Sequence, residues 1–379
     1  MKAYSFRSGK DTDLTAALAG CRAIDPQVVL LFAASPLLDR PESAAAIRGC
    51  GMTVVGCSTA GEISAGGVSD FSFSGLALHF DGVPLKTARA PLKGPQDSRK
   101  AGEELARQLA APDLRSVFAL CPGAFSDSIA FAKGLSSSLS ARTLITGGIA
   151  GRHTGEGHTY TILNDVFGDE QAVAFGLYGD KVRVSSGTSG GWKPFGPVRR
   201  VTRAEANVIY ELDGKPALPL YKEYLGDKAA GLPFSGLMFP FAVVDEQNRH
   251  ETGLIRTLMD VDHAANTMTM AAIVPQGALV RMMHADNESL VDAARKAAED
   301  ATKGMKDQAT ILVSCAGRRI IMGSDAEEEI DAVVDVIGKG APFAGFYSYG
   351  EICPYAATGF SELHHQTMTI TTISEEKGG

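Results

Sequence analysis

Two glutamates stand in closely similar surroundings and could act in proton transfer or ligand binding. Glu62 ends the segment GCSTAGE that begins at Gly56, and Glu351 ends the segment GFYSYGE that begins at Gly345. Two carboxylates in one cleft can exchange protons with a substrate or hold a cationic group. Alternatively, each carboxylate accepts hydrogen bonds from backbone N–H groups and fixes its own turn. The pattern leaves both interpretations open.

The residues around these glutamates complete a candidate ligand site. Small residues after a strand let a ligand approach the backbone closely. Arg318 directly follows the apolar run 310–314 and could clamp a carboxylate or phosphate. Arg318 could equally form an ion pair with the acidic run 327–329. The predicted ligand-binding residues are Cys57, Ser58, Gly61, Glu62, Arg318, Tyr347, Tyr349 and Glu351.

The six cysteines are scattered and contain no CxxC pair, so we expect free thiols and no structural zinc site. A cysteine nucleophile needs a base and a thiolate-stabilising environment. No Cys–His–Asp arrangement can be read from the residue order. We therefore predict a protein without catalysis. An enzyme that uses Cys57 or the Glu62/Glu351 pair is the alternative from a different functional class.

Three histidines are candidates for cofactor binding. His284 ends a predicted strand, and His364 and His365 precede the last one. Histidine is a common axial ligand of haem iron, although a single histidine more often makes a structural hydrogen bond. The chain has no CxxCH motif, which excludes covalent haem attachment.

The charge pattern excludes several classes of partner. The net charge is −8 and no basic run occurs, which argues against nucleic acid and against a polybasic membrane anchor. No apolar stretch reaches the roughly 18 residues of a spanning helix. The first residues do not have the pattern of a secretory signal. We predict a cytoplasmic protein that could form homo-oligomers.

One sequence of elements recurs three times in the chain. It reads strand, small-residue corner, helix, short strand, glycine-rich corner and strand, over about 28–80, 116–178 and 310–373. Such recurrence indicates internal duplication. Glycine corners also follow strands in many α/β proteins, which is the simpler explanation. In an open α/β sheet these corners lie on the carboxyl edge, where ligands usually bind.

The remaining sequence predicts two domains. Residues 185–197 are rich in glycine, serine and proline and indicate a linker, so we place domains at 1–190 and 191–379. A capping-box pattern at 202–205 predicts a helix that carries Ile209 and Leu212. Threonine-rich alternation over 236–284 predicts an antiparallel meander. The predicted fold is α/β, with related sheet-plus-helix units and the meander in the second domain.

The motifs together resemble the FIST family of bacterial sensory proteins, which carry an N-terminal and a C-terminal FIST domain. The resemblance covers nearly the whole chain. It lies in 55–63 (VGCSTAGEI), 210–217 (YELDGKPA), 221–224 (YKEY), 314–318 (SCAGR), 344–354 (AGFYSYGEICP) and 363–370 (LHHQTMTI). His365 departs from the pattern, because relatives often carry asparagine after the residue that matches His364. This departure leaves open which histidine has a site role.

The resemblance implies a sensor that binds a small ligand and signals to a partner such as a histidine kinase. Some similar members, the nitric-oxide-sensing FIST proteins, bind haem and modulate a kinase encoded beside them. For this chain the resemblance implies haem, with His364 as the metal ligand and with His365 and His284 as the other cofactor-binding residues. The alternative ligand is an amino acid or related metabolite, with Arg318 on its carboxylate and Glu62 or Glu351 on its ammonium group.

Overall fold

The computed structural model describes residues 1–9, 14–123, 126–153, 158–247, 251–306, 308–355 and 359–376. The chain forms two compact units. The first unit is assembled from Met1–Ser189, Val291–Leu363 and Thr367–Gly379, and the second unit from Gly190–Leu290 and His364–Gln366. The domains 1–190 and 191–379 stay a prediction, since these compact units combine segments from both halves of the chain.

The first repeat begins the chain. Its strands are β1 (Lys2–Ser8), β2 (Val28–Ala33), β3 (Val54–Ser58), β4 (Glu62–Ser64), β5 (Gly67–Ser69) and β6 (Phe73–His79), and its helices are α1 (Leu14–Cys21), α2 (Ser35–Leu38) and α3 (Pro41–Gly49). The uninterrupted apolar run of β2 is buried along its whole length. Such a run is typical of a strand that is covered on both faces.

The second repeat has the same order of elements. Its strands are β7 (Leu85–Pro91), β8 (Leu114–Cys121), β9 (Leu144–Ile149), β10 (Thr161–Leu163), β11 (Val166–Gly168) and β12 (Gln171–Tyr178), and its helices are α4 (Ser98–Leu109) and α5 (Ser128–Ser137). Helix α4 buries Ala101, Leu105 and Leu109, which are spaced four apart. This spacing places the three apolar side chains on one face of an amphipathic helix.

The second unit is inserted after the first strand of the third repeat, β13 (Val182–Ser189). Its elements are β14 (Lys193–Glu205), β15 (Val208–Leu212), β16 (Lys215–Pro216), α6 (Ala217–Leu225), β17 (Phe241–Val244), β18 (Glu251–Arg256), β19 (Leu258–Asp262), β20 (Thr267–Met270) and β21 (Leu279–His284). Two 3-10 turns, Gly226–Gly231 and Phe234–Met238, follow α6. These strands form one antiparallel sheet of order β18-β17-β21-β14-β15-β20-β19, with β16 paired to β15, which confirms the antiparallel pairing predicted for this region.

Two predictions for the start of this unit are wrong. The predicted linker 185–197 consists mainly of strand, because β13 pairs with the last strand of the chain and β14 begins at Lys193. The predicted helix after Thr202 is the hairpin of β14 and β15. Ile209 and Leu212 are buried in the core of the second unit, so tertiary packing has overridden the local capping pattern.

The third repeat resumes after the insertion. Its further elements are α7 (Asn287–Thr302), β22 (Ala309–Cys315), α8 (Ala316–Met322), α9 (Ala326–Ile337), β23 (Phe343–Ser348), β24 (Glu351–Pro354), β25 (Ser361–His364) and β26 (Met368–Glu375). Within the described residues of the first unit, the three repeats form three six-stranded sheets. The sheet orders are β1-β6-β2-β3-β10-β11, β7-β12-β8-β9-β24-β25 and β13-β26-β22-β23-β4-β5.

The three orders are equivalent, and each sheet ends in a hairpin from another repeat. The first repeat gives β4–β5 to the third sheet, the second gives β10–β11 to the first, and the third gives β24–β25 to the second. This cyclic exchange confirms the predicted internal duplication for all three copies. One apolar cluster contains residues from all three sheets, and separate clusters join each sheet to its own helices.

Equivalent glycines occur where the paired parallel strands of each repeat approach most closely. A Cβ on Gly56 or Gly147 would lie 1.9 Å from a carbonyl oxygen of the neighbouring strand, and one on Gly345 would lie 2.3 Å away. No side chain fits at such distances. Gly56, Gly147 and Gly345 therefore allow the neighbouring strand backbones to pack closely.

Candidate functional site

The glycine-rich segments at the ends of β3, β9 and β23 meet one another in the first unit. We call residues 58–61, 149–151 and 347–350 the three corners. Ala60 N–H donates to the Tyr347 carbonyl over 2.9 Å, and Gly151 N–H donates to the Ser58 carbonyl over 3.1 Å. The second and third corners are joined by the Tyr349 N–H and the Ile149 carbonyl, 3.0 Å apart. The corners bond mainly to each other.

Glu62 is held by the chain around its own corner. Its carboxylate accepts hydrogen bonds from the Thr59 hydroxyl and from both the backbone N–H (2.9 Å) and the hydroxyl (3.0 Å) of Ser72. The side chain is fully buried. The carboxylate therefore joins its corner to the start of β6.

Glu351 repeats this arrangement in the third repeat. It accepts a hydrogen bond from the Ser348 hydroxyl over 2.6 Å, and from the N–H (3.2 Å) and hydroxyl (2.8 Å) of Thr367. The second repeat has Thr161 at the equivalent strand position, where it hydrogen-bonds with Gln171. The two glutamates thus have the same structural role, because each links its corner to a later segment of the chain.

The residues before the two donors have unusual backbone conformations. Phe71, before Ser72, has φ 53°, and Gln366, before Thr367, has φ 62°. Left-handed backbone is uncommon for residues other than glycine and is strained for a bulky one. In both repeats this conformation accompanies a carboxylate that accepts the N–H and the hydroxyl of one residue.

Burial makes both carboxyls weak acids. Desolvation raises the pKa of Glu62 and of Glu351 to about 7, although the surrounding hydrogen bonds lower it in part. Each group is thus close to half-protonated near neutral pH. Perturbed carboxyls of this kind often mark functional sites, but buried structural networks also produce them.

Arg318 lies in a buried network and is fully buried itself. Its Nε and Nη2 donate to one oxygen of Glu329 over 3.1 and 2.8 Å. The other oxygen accepts from Ser314 (3.0 Å) and from the Tyr347 hydroxyl (2.9 Å). The ion pair with the run 327–329 that the sequence left open is therefore present, and it is buried.

The neighbouring arginine, Arg319, lies closer to the surface. Its Nη1 donates to the Ala60 carbonyl and to Asp70, each over 2.7 Å, and Asp70 also lies 3.1 Å from the Nδ1 atom of His153. Burial raises the pKa of Asp70, but the Arg319 contacts outweigh it and the pKa is lowered. Sequence reasoning missed this group.

The predicted ligand-binding residues of the corners differ greatly in access. Cys57, Ser58, Glu62, Arg318, Tyr347 and Glu351 are fully buried, and Gly61 is buried as well. Tyr349 is 38% exposed and donates to the Arg152 carbonyl over 3.2 Å. Burial raises the pKa of the Cys57 thiol well above its ordinary value, which opposes a thiolate nucleophile. Their ligand role stays a prediction, and their burial weighs against it.

Two of the three candidate haem ligands, His364 and His365, are buried. His364 and His365 are only 3% and 5% exposed, and burial followed by the charge of Arg256 lowers their pKa values to about 4 and about 3. Both imidazoles are therefore neutral. A haem bound to either would have to displace the side chains that cover it. In the described part of the chain, no cluster of three His, Cys, Asp or Glu side chains could hold a metal ion.

His284 borders a cleft of about 310 Å³ in the second unit. We call it the aromatic cleft, and it is lined by Phe195, Tyr224, Leu225, Lys228, Met238, Phe239, His284 and Ala285. The Phe195 ring lies 5.8 Å from that of Phe239 and 5.7 Å from that of His284. Such rings are typical walls of a small-molecule site.

A bulge in β14 forms one wall of the aromatic cleft. The pairing of β14 with β21 shifts register between Pro194 and Val198, and Gly196 has φ 81°. A bulge of this kind re-aims the neighbouring side chain, here Phe195. The Gly-Pro pattern that predicted a linker is instead the signal of this bulge. Tyr224 stands in a motif that the family resemblance includes, but Phe195 and Lys228 were missed.

Two more voluminous grooves occur in the first unit, and several of the polar groups that line them are engaged within the protein. One groove, of about 790 Å³, is lined partly by Arg22 and Gln27. These two side chains bond backbone atoms of Gly49, Cys50 and Phe80. The other groove, of about 540 Å³, is bordered by Glu375, which accepts from Asp81 and Gly82 N–H groups. The described residues that line these two grooves include no aromatic ring, in contrast to those of the aromatic cleft.

Comparison with known families identifies both halves of the chain. A model of the FIST N domain matches residues 27–215, and a model of the FIST C domain matches residues 217–354. The chain belongs to the FIST family. FIST domains are sensory, ligand-binding signalling domains. This chain carries both of these domains.

Two relatives of this FIST protein are described as uncharacterised proteins of mycobacteria. It is 28% identical over 240 residues to the uncharacterised protein Rv0628c of Mycobacterium tuberculosis, which covers 60% of each chain. It is 26% identical over 246 residues to the uncharacterised protein Mb0898c of Mycobacterium bovis, which covers 62% of this chain and 61% of that one. The matched region thus spans about 60% of the length of these curated relatives.

A solved structure, cyanuric acid hydrolase from A. caulinodans, aligns over 99% of both chains with 11% identity and a TM-score of 0.35. Likeness of this degree carries no conclusion about function. Among the described residues, no helix combines the length and apolar character of a membrane span. The cytoplasmic location stays a prediction.

The two buried glutamates should make the stability of this FIST protein depend on pH. Each carboxyl keeps its proton up to about pH 7 in the folded protein but loses it near 4.5 in the unfolded chain. The resulting stabilisation is complete below pH 4.5 and is lost as the pH rises through 7. We expect the free energy of unfolding to fall by about 3 kcal/mol per carboxyl over this range.

Urea unfolding of the wild type and of Glu62→Gln/Glu351→Gln between pH 5 and 8 measures this dependence. The difference between the two curves isolates the effect of the glutamates from that of His364 and His365, whose lowered pKa values make stability rise with pH. Glu299→Gln, an exposed change on α7, is the matched control. Parallel pH curves for the wild type and the double variant would contradict the expectation.

Removal of one partner of the Arg318–Glu329 pair should destabilise the protein strongly. Arg318→Met leaves a buried charge without its main counter-ion, and we expect a loss of about 3–5 kcal/mol of unfolding free energy. Adding Glu329→Leu should restore part of this loss. Urea unfolding measures both variants. Unchanged stability with weaker ligand binding in Arg318→Met would instead support the ligand role that the sequence suggested.

Proposed function

We propose that this FIST protein is a cytoplasmic small-molecule sensor without catalytic activity, and that its ligand binds in the aromatic cleft. The observation that carries the proposal is the cleft of about 310 Å³ whose walls are aromatic and whose rim carries Lys228. Small-molecule sites usually have volumes of about 300–1,000 Å³, mostly apolar walls and a few polar groups. The cleft meets each of these conditions, at the lower end in size.

The ligand would act by favouring one conformation of the protein over another. A ligand can shift such an equilibrium only through its different affinity for the two states. The 3-10 turns that supply Lys228 and Met238 are short elements beside the cleft, and they are natural candidates to respond. We propose a histidine kinase as the partner that reads this change, in keeping with the sensory role of the family.

Haem remains one candidate ligand, and nitric oxide would then be the signal. Of the three histidines proposed to bind it, His284 suits the role best, because it borders the cleft while His364 and His365 are buried. Bound haem would supply an iron atom that can take a gas molecule. His284 would hold it, and Lys228 would face its carboxylates. A macrocycle would extend beyond a cleft of this size.

Reconstitution with haem tests this candidate directly. If haem is the ligand, the wild type should acquire a Soret absorption band, His284→Ala should lose it, and His364→Ala should keep it. Loss of the band only in His364→Ala would return the axial role to His364. A protein that stays colourless after haem supplementation removes haem and nitric oxide from the proposal.

An amino acid is the alternative ligand, and the cleft offers less support for it. The residues that line the cleft include no aspartate or glutamate to hold an ammonium group. The carboxylates proposed for this task, Glu62 and Glu351, are fully buried. A catalytic use of Cys57 is likewise disfavoured by its burial.

The effect of ligand on the activity of a partner kinase tests the proposed sensor function. A histidine kinase that binds this protein should autophosphorylate at a rate that depends on the protein and changes further with ligand. Phe195→Ala should abolish the change with ligand, because one cleft wall is removed, and should leave the effect of the protein alone. Lys215→Met, an exposed change elsewhere in the second unit, is the control. A ligand response that survives Phe195→Ala would place the ligand outside the cleft.

A further inference from the structure

We propose that the aromatic cleft selects a small aromatic carboxylate that carries no ammonium group. This inference rests on the proposed function, because it names the ligand class of the same cleft. It differs from the haem and amino-acid candidates in size and in charge. Four features of the second unit lead to it: the ring walls, the cationic rim, an unpartnered donor and the volume.

The walls suit a planar ring. The Phe195 ring centroid lies 5.8 Å from that of Phe239 and 5.7 Å from that of His284, and Tyr224 lines the same cleft. Aromatic pairs favour offset-stacked or edge-to-face geometry at 4.5–7 Å, and each pair contributes roughly 0.5–1.5 kcal/mol beyond its area. Leu225 and Met238 complete an apolar lining. A flat aromatic body would gain such contacts on several sides.

The rim suits an anion. The Nζ atom of Lys228 lies 5.0 Å from the Phe239 ring centroid, so a charge is held against one wall. Among the described residues Lys228 forms no salt bridge, and its acidic neighbour Asp227 does not line the cleft. A carboxylate that enters the cleft would meet this ammonium group. An ammonium group on the ligand would be repelled by it.

A second cation, Arg199, lies beside two of the residues that line the cleft. Phe195 and Tyr224 also border an inner slot of about 10 Å³, which Arg199 lines. Arg199 donates to the Tyr224 hydroxyl over 2.5 Å and to Asp213 over 3.0 Å. Its Nε atom is buried and has no hydrogen-bond partner among the described residues. Buried donors are nearly always paired, so an unpaired one at a cleft points to a missing acceptor.

The volume limits the size of the ligand. An engineered apolar cavity of about 150 Å³ holds one benzene molecule. The cleft, at about 310 Å³, therefore has room for one ring or a fused pair of rings with a short acid chain. A porphyrin would exceed it. Size, ring walls and cationic rim together describe an arylacetate-sized anion.

Calorimetric titration with matched probes tests this selection. Phenylacetate and indole-3-acetate should bind. Phenylalanine and tryptophan should bind on the order of tenfold more weakly or less, because each adds an ammonium group. Phenylacetamide, which has the same shape and no charge, should lose a similar factor. Cyclohexylacetate, which keeps the charge and lacks the flat ring, should also bind more weakly.

Two cleft variants separate the contributions. Lys228→Met should weaken phenylacetate binding on the order of ten- to a hundredfold, the usual effect of losing a charged hydrogen bond, and should leave phenylacetamide unchanged. Phe195→Leu should weaken both probes. Lys215→Met, which removes an exposed lysine that does not line the cleft, should change neither.

The outcomes distinguish the two levels of the proposal. Equal affinity for phenylacetate and phenylacetamide, or tighter binding of phenylalanine, would overturn the carboxylate selection while the cleft remains the ligand site. The carboxylate selection would also be overturned, with the cleft still the ligand site, if no aromatic acid binds but haem or another probe binds and Phe195→Leu weakens that binding. Binding that neither Lys228→Met nor Phe195→Leu affects would overturn the assignment of the cleft itself.

Discussion

The first unit depends on the hydrogen bonds by which each repeat completes the sheet of another. The short hairpins β4–β5, β10–β11 and β24–β25 leave their own repeats and pair with β23, β3 and β9. An edge strand with unpaired N–H and C=O groups is a liability for any sheet. The cyclic exchange covers one such edge in each sheet and joins distant parts of the chain. The glycine-rich corners are the points at which the exchanged segments leave.

This constraint explains why the most suggestive residues of the sequence are structural. Each corner must turn the chain tightly while its backbone donors and acceptors stay buried, and buried polar groups need partners. Glu62 and Glu351 supply acceptors at two corners, while Thr161 stands at the third. Buried carboxylates with several hydrogen bonds satisfy this need, at the expense of a raised pKa.

The aromatic cleft arises from a different kind of constraint. A bulge in β14 at Gly196 breaks the ladder with β21, and the 3-10 turns after α6 close over the side chains that the bulge redirects. Such a break lowers the number of ladder hydrogen bonds and creates space for aromatic rings. The proposed ligand site thus lies on the antiparallel sheet of the second unit, beside an irregular stretch of β14.

The sequence by itself determined the α/β class, the three repeats and the antiparallel pairing in the second unit, because apolar periodicity and glycine positions record local geometry. It also carried the FIST motifs. Only the tertiary structure decided that 185–197 is largely strand, that the segment after Thr202 is a hairpin and that the corner residues are buried. Strands from distant parts of the chain supply the hydrogen bonds and bury these residues. No local sequence pattern encodes either effect. For the same reason the cleft around Phe195 and Lys228 became visible only when distant segments were brought together.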